Sequence, residues 1–424
     1  MKKFLSKLFI NKNKISVKEN LFKIIRDTTD VYKIFEAISS HSNDSEIMYV
    51  GGCVRKILNN EKFDDVDLAT NLIPSEVKNA LEKNDISYFE TGIDHGTITA
   101  HIDGKNFEIT SLRKDIETDG RHARVRFSKD WKEDSLRRDF SINSIYADID
   151  GNLFDPNMGV KDLKEGKIRF IGDPEIRIKE DYLRILRYLR FFVQYSKENH
   201  NLNIKKLIKK NISGIAHLSK ERLLQELQKL ILSKFFLNIF RNHFSTELLL
   251  LVFPQIVNIS NFKKLSKFAV KNISKKDFTF LIALLIIDDT DNAQYFLYKY
   301  NVSNKTKKRI IFLKKAFDDG LGKKNFSKNN LQKIFYYHGK NSLIELIDFY
   351  LFTLNKNENK IIKLRDYFEK KERPSFPIKT KEIMEKYNLY EGRELGNKLK
   401  NLEEIWVQND FKISKKEIDE VFSA

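Results

Sequence analysis

The sequence predicts an α+β protein whose sheet lies in its N-terminal part and whose remainder is helical. Three observations carry that prediction. Met48-Tyr49-Val50 closes a short apolar run of strand character, and Gly51-Gly52 then turns the backbone tightly because neither residue has a Cβ. Residues 97–102 and 105–110 alternate in polarity around Asp103-Gly104, a turn pair typical of two-residue β-hairpins. Beyond Gly172-Asp173-Pro174 the apolar residues recur at helical spacing almost to the end of the chain.

At 424 residues the chain exceeds one ordinary core, so two or more domains are expected. With 41% hydrophobic and 32% charged residues it can bury a sizeable interior and is not a disordered tract. The formal net charge is +18, from 77 Lys+Arg against 59 Asp+Glu. Such an excess favours a polyanionic partner, nucleic acid or an acidic membrane surface, although Lys is also abundant on ordinary solvated helix faces. The single cysteine, Cys53, excludes an internal disulfide and a cysteine-cluster metal site, and points to a reducing compartment. The N-terminal apolar run is short and interrupted by Lys7, unlike a signal peptide, and no apolar run reaches membrane-spanning length. The expectation is a soluble, cytoplasmic protein that does not engage a membrane.

In chain order, a polar lead-in from Asn11 to about Asn20 precedes an entry helix over 31–38. After the glycine pair, a short helix over 54–58 sets backbone N–H groups and Arg55 at the turn, a ready anion site. Asp65 and Asp67 follow on the next strand, where residues two apart share a face. Paired oxygen donors beside a phosphate cradle suit Mg²⁺ held jointly by protein and nucleotide. An isolated Gly-Gly is ordinarily just a turn, and an isolated Asp-x-Asp a solvated strand end. The order and close spacing of the two carry the reading. Pro74 opens the next helix in its first turn. Glu108, on the second hairpin arm, is either a third carboxylate facing the pair or a charge facing water.

Residues 113–127 lack periodicity and are expected to form a mobile loop, with His122 either a proton-transfer group or an exposed loop histidine. Residues 133–147 carry Leu136, Phe140, Asn143 and Ala147 at helical spacing, crossed by Arg137-Arg138-Asp139. One of those arginines suits a triphosphate, since guanidinium matches phosphate geometry. Asp150-Gly151 marks another hairpin. Residues 180–193 are expected as one helix with Tyr182, Ile185, Leu186, Leu189 and Phe192 on its apolar stripe. Asp181, Arg184, Arg187 and Arg190 recur every three residues along another stripe. They form either a solvated face with Asp181 paired to Arg184, or a row of groups for a nucleotide's phosphates and base edge. Residues 218–233 are amphipathic, with Ser219 as cap. Beyond about residue 255, Lys clusters interleave with Phe and Tyr, as in an RNA-tracking surface or a plain helical core. The stretch from Pro374 to Pro377 breaks the pattern before a last helical segment.

Taken together, these motifs resemble those of the class II nucleotidyltransferases, the family of tRNA CCA-adding enzymes and bacterial poly(A) polymerases. The resemblance spans roughly residues 48–233. It rests on Gly51-Gly52-Cys53-Val54-Arg55, Asp65-Val66-Asp67 and Gly92-Ile93-Asp94-His95-Gly96-Thr97, then on Arg137-Arg138-Asp139-Phe140-Ser141-Ile142-Asn143 and Glu180-Asp181-Tyr182-Leu183-Arg184. Three residues depart from the family pattern: Lys56 replaces the usual Asp, Ser141 the usual Thr, and Tyr182 a common Pro. The resemblance implies a lead-in over 1–30, a nucleotidyltransferase head (palm) over 31–150 and a neck with a nucleotide-selecting helix over 151–215. A helical RNA-binding body over 216–330 and a helical tail over 331–424 would follow.

It further implies that Asp65 and Asp67 are catalytic and bind Mg²⁺, with two ions ~4 Å apart serving the attacking and leaving oxygens. Gly52, Arg55 and Arg138 would hold the triphosphate. Asp181 and Arg184 would read the pairing edge of the base without a nucleic-acid template, and Arg187 and Arg190 would continue that wall. Directional polar groups reject a wrong base because mispairing leaves buried donors or acceptors unsatisfied. The implied substrates are CTP, ATP and the acceptor arm and 3′ end of tRNA, with pyrophosphate released; no protein partner is implied. The same motifs would serve a poly(A) polymerase or an enzyme adding only A. The segment from Asp119 to His122 leans against an enzyme adding only CC. An RNA-binding protein with a dead transferase domain is the reading of another class, against which the retained Asp65 and Asp67 stand.

Overall fold

The apolar run ahead of the glycine pair forms β1 (Ile47–Val50), buried at all four positions, inside a mixed sheet in a computed structural model of the chain. The structure describes residues 16–63, 65–118, 123–320, 326–353 and 358–423. Two units divide the chain, Met1–Val252 and Phe253–Ala424.

In the first unit, α1 (Ser16–Thr29) and α2 (Val31–Ser39) precede β1, so part of the expected polar lead-in is helical. There follow α3 (Gly52–Leu58), β2 (Asp67–Thr70), α4 (Pro74–Glu82), β3 (Ser87–Gly92), β4 (Thr97–Ile102) and β5 (Lys105–Ser111). Next come β6 (Arg113–Thr118), β7 (Ala123–Phe127), α5 (Trp131–Leu136), β8 (Tyr146–Ala147) and β9 (Leu153–Phe154). The seven-stranded sheet runs β3-β4-β5-β2-β1-β8-β9. Its β2–β5 pair is parallel and the other neighbours are antiparallel. Asp103 and Gly104 both have positive φ, as a type I′ hairpin turn requires. Met48, Val50, Ala69, Trp131, Tyr146 and Phe154 form one buried cluster on this sheet. The Trp131 indole N–H donates to Glu46 at 2.6 Å, so the ring is buried with its polar atom satisfied.

Three expectations are corrected. The loop expected over 113–127 is a two-stranded hairpin, β6–β7, whose strands look polar because they form a separate sheet; Asp119 to His122 lie outside the described residues. The helix expected over 133–147 stops at Leu136. Beyond it, Phe140 bridges Phe170 and the Ser141 N–H bonds the Arg169 carbonyl, so strand-like pairing replaces the helix. The helix expected over 180–193 is two, α7 (Pro174–Glu180) and α8 (Leu183–Tyr195), which follow α6 (Gly159–Glu165). Asp181 sits between them in extended conformation and accepts the Leu183 N–H at 3.1 Å. Short polar side chains favour such caps over helix interiors.

α8 buries Ile185, Leu186, Leu189 and Val193, each worth about 1.5–3 kcal/mol when fully removed from water. Tyr182, which precedes it, has φ −62°, a value proline would also adopt, so the departure from the common Pro leaves the backbone unchanged. Its ring covers Gly214, where any Cβ would fall 2.1 Å from a ring carbon. α9 (Leu202–Asn211), α10 (Lys220–Ile231) and α11 (His243–Val252) complete the unit, and Ser219 caps α10 as expected, accepting the Arg222 N–H. Buried His200 ties α8 to α11: its Nδ1 lies 3.0 Å from the Tyr188 hydroxyl and its Nε2 2.8 Å from Ser245 Oγ.

The α-helices of the second unit's described residues are α12 (Lys267–Asn272), α13 (Phe278–Ile286), α14 (Asn292–Tyr300), α15 (Asn304–Asp318) and α16 (Lys328–Thr353), then α17 (Glu358–Lys370), α18 (Thr380–Tyr387), α19 (Arg393–Gln408) and α20 (Lys415–Ser423), with no strand among the described residues. Many of its aromatics are core: Phe262, Phe280, Phe296 and Tyr300 are buried, while Tyr298 is exposed. Among the described residues no helix is long and apolar enough to cross a membrane.

Candidate active site

A cavity of about 1410 Å³ opens in the first unit where β1, β2, α8 and α10 converge, and every predicted site residue lines it. Gly51 makes the turn out of β1 with φ 71°, and α3 begins at Gly52. A Cβ on Gly51 would lie 3.6 Å from Arg138 Nη1, and one on Gly52 3.8 Å from Asp67 Oδ2. The turn therefore packs against the leading cation and the leading carboxylate at once.

Asp67 is the first residue of β2, whereas Asp65 lies before the strand and is exposed. The two do not share a strand face as expected, because the pairing of β2 begins only at Asp67. Glu108 is its register partner on the parallel neighbour β5, which sets that carboxylate beside it. Burial raises the Asp67 carboxyl above its ordinary value, and the Glu108 and Asp65 charges raise it further against the pull of Arg138 and Arg55. A crowded all-oxygen set of this kind fits a hard divalent cation, which would relieve the repulsion. Among the described residues no three His, Cys, Asp or Glu side chains form a metal cage by themselves. One or two carboxylates completed by substrate oxygens is the arrangement these residues match.

Arg55 is buried, donates to Asn143 Oδ1, and stacks 4.7 Å from the Phe191 ring centroid; among the described residues its Nε has no hydrogen-bond partner. Arg138 is fixed by Asp134, accepting from its Nη2 at 3.1 Å, and by the Tyr146 hydroxyl at 3.0 Å. Asp134 also takes Arg137 at 2.7 Å. Both guanidiniums are thus pinned from beneath by one buried carboxylate.

The wall from α7 to α8 is held by partners on α7 itself and on two other segments. Asp181 does not pair with the Arg184 side chain; its Oδ2 accepts from Arg222 of α10 at 2.8 Å. Arg184 Nη1 donates to Glu180 at 2.6 Å and to the Arg177 carbonyl at 2.7 Å. Arg187 donates to Asp139 at 2.6 Å, and Arg190 to Glu226 of α10 at 2.8 Å. The Asp139 carboxyl is pushed up by burial, but Arg187 and the Asn143 amide outweigh that and hold it at about 2. The solvated-face reading of this stripe is therefore excluded: the side chains are 10–32% exposed and meet at the cavity. Sequence reasoning missed Asp134, Arg222 and Glu226. The last two stand four apart on the amphipathic 218–233 segment, a signal of a shared face, but only the packing of α10 on α8 shows what that face meets.

Residues 47–169 match the family described as Poly A polymerase head domain, and residues 202–259 match the probable RNA and SrmB-binding site of polymerase A. The mitochondrial CCA tRNA nucleotidyltransferase 1 of Danio rerio is 33% identical over 398 residues, 89% of this chain and 86% of its own. The CCA-adding enzyme of Staphylococcus haemolyticus is 33% identical over 324 residues, 74% of each chain. Among solved structures, the Bacillus stearothermophilus CCA-adding enzyme in complex with CTP superposes with a TM-score of 0.67 at 21% identity, covering 90% of this chain and 94% of its own.

Proposed function

The chain belongs to the family of CCA tRNA nucleotidyltransferases, and from that premise we propose how its cavity works. The observation that carries the reading is that Asp65 and Asp67, the Gly51-Gly52 turn with Arg138, and the Asp181–Arg190 wall all line one cavity. In this reading the 3′-hydroxyl oxygen of tRNA attacks the α-phosphorus of CTP or ATP, a new phosphodiester forms, and the bond to pyrophosphate breaks. Asp65 and Asp67 would hold Mg²⁺ together with triphosphate oxygens, and the metal when bound would supply charge stabilisation to the attacking and leaving oxygens. Gly52 lets the triphosphate approach the backbone, and Arg138 and Arg55 bind its oxygens. Arg138 enters already oriented by Asp134, so little ordering is left for the moment of binding. Asp181 and Arg184 take the pairing edge of the base, and Arg187 and Arg190 close the wall behind it. Each of these groups trades part of an internal ion pair for a base contact, so only a base that replaces those bonds is accepted. The all-helical remainder of the chain, with its Lys surplus, serves as a body and tail that contact tRNA phosphates, which position without reading sequence.

A cytoplasmic location belongs to the same reading; the Danio rerio relative is named mitochondrial, and fractionation of cells expressing the tagged chain decides between them. The function is tested with labelled CTP and ATP, singly and together, on tRNA carrying zero, one, two or three residues of its CCA end. Addition of C, C and A followed by a stop is expected. Open-ended A addition on any RNA end would reassign the chain as a poly(A) polymerase, and extension only from the CC end as an A-adding enzyme. Silence from the folded protein on every primer would leave an RNA-binding module.

A further inference from the structure

We propose that the far end of the cavity seats the 3′-terminal nucleotide of the RNA primer, with Phe235 as its stacking platform and Lys234 as its phosphate contact. The inference rests on the transferase reading above. Pockets for single small molecules measure roughly 300–1,000 Å³, whereas this cavity holds about 1410 Å³. One nucleotide therefore leaves room to spare, and the surplus has a direction. α10 runs alongside the wall, its Arg222 on Asp181 and its Glu226 on Arg190, and beyond that last pair the lining continues to Gln194 near the end of α8 and to Gln228, Lys234 and Phe235 on and after α10.

The chemistry changes along that path. The near part is built of arginines locked to carboxylates, a rigid set suited to one ligand shape. At the far end Gln228 and Lys234 are exposed, and Phe235 is half-buried with Lys234 Nζ 4.8 Å from its ring centroid. An aromatic face beside a lysine is how single-stranded nucleic acid is held without regard to sequence, base on ring and phosphate on cation. That tolerance is what the position requires. The terminal residue of the primer changes with each addition, so its seat must accept different bases, which stacking does and a hydrogen-bonded edge does not. The platform is also anchored: the Phe235 N–H donates to Ser233 Oγ at 3.1 Å, and the next residue, Phe236, is buried.

The test uses the full chain with tRNA lacking its CCA end and tRNA ending in CC. Phe235→Ala is expected to raise KM for RNA by about 5- to 100-fold, with KM for CTP unchanged, and Phe235→Tyr is expected to restore it. Phe235→Leu keeps apolar bulk without a π face; it should melt like the wild type yet show the raised RNA KM, which covers the case in which Phe235→Ala does not fold. Lys234→Gln should flatten the salt dependence of the RNA KM, since one phosphate contact is lost. An unchanged RNA KM in Phe235→Leu, or an equal rise in KM for CTP, overturns the platform. Wild-type protein that fails to add C, C and A overturns the underlying reading instead; active wild type with unmoved variants overturns only the platform.

Discussion

Replacing Asp134 by Asn probes how the triphosphate arginines are held. Asp134 is 0% exposed and accepts from Arg137, Arg138, the Tyr146 hydroxyl and the Arg113 N–H. Burial pushes its carboxyl up, but Arg138 and Arg137 outweigh burial and hold it at about 2. Against an unfolded Asp near ~3.9, a depression of that size contributes about 2–3 kcal/mol at pH 7. Because the folded value is the lower one, the contribution is complete above the unfolded value and is lost as pH falls towards about 2. The Asn side chain keeps the volume and one acceptor but leaves two guanidiniums uncompensated, a loss that reaches roughly 3–5 kcal/mol when a buried pair is broken. At about 2–4 °C per kcal/mol, the charge contribution of about 2–3 kcal/mol alone means that Asp134→Asn should lower Tm at pH 7 by about 4–12 °C. Thermal unfolding of both proteins at pH 7 and near pH 3 checks the reasoning. The gap near pH 3 should be about half that at pH 7. A gap that does not shrink, or no gap at pH 7, would refute the assignment of Asp134 as the charged anchor. A rise in KM for CTP should accompany the loss of stability, since Arg138 loses its fixed direction.

Asp67→Asn should abolish transfer and keep tRNA affinity, and its Tm at pH 7 should match or exceed the wild type. A carboxyl raised in the folded state by burial, Glu108 and Asp65 costs stability once ionised; a lower Tm or a parallel loss in gel-shift binding would contradict this. Arg184→Ala should weaken discrimination against GTP and UTP by about 10- to 100-fold, the size of a lost charged hydrogen bond, with a smaller effect on triphosphate binding. Unchanged misincorporation ratios would remove Arg184 from base selection. Burial, with Lys205 adding, lowers His200 to about 3, so the folded state keeps it neutral. Its contribution is complete above the ordinary histidine value near ~6.5 and is lost as pH falls below it. Wild-type Tm should therefore drop between pH 7 and pH 5, and His200→Gln should flatten that slope; equal slopes would refute the account.

What could be read from the sequence was what local chemistry decides. The Gly51-Gly52 turn, the Asp103-Gly104 hairpin, Pro74 and the Ser219 cap each depend on a few neighbouring residues, and each stands where expected. The helix drawn through 133–147 failed because the competing bonds come from Arg169 and Phe170, far along the chain. The helix drawn through Asp181 failed because an aspartate at helical spacing was counted for its period rather than its capping ability. Residues 113–127 looked like a loop because a two-stranded ribbon outside the main sheet needs no apolar alternation. In the site, residue types were legible and their partners were not. Arginines at 184, 187 and 190 announce a cationic stripe beside Glu180, but Asp139 and Glu226, which help turn it into a fixed wall, come from two distant segments that only the fold brings together.

The ring of Tyr182 over Gly214 constrains how this chain can change over generations. Tyr182 occupies the space that any side chain at 214 would need, so a methyl group gained at 214 would push the residue beside Asp181 out of place. The reverse change is cheap, because the backbone at 182 already has the φ of a proline. The two positions thus share one volume, and the steps have an order: the ring must leave before anything larger than glycine can arrive.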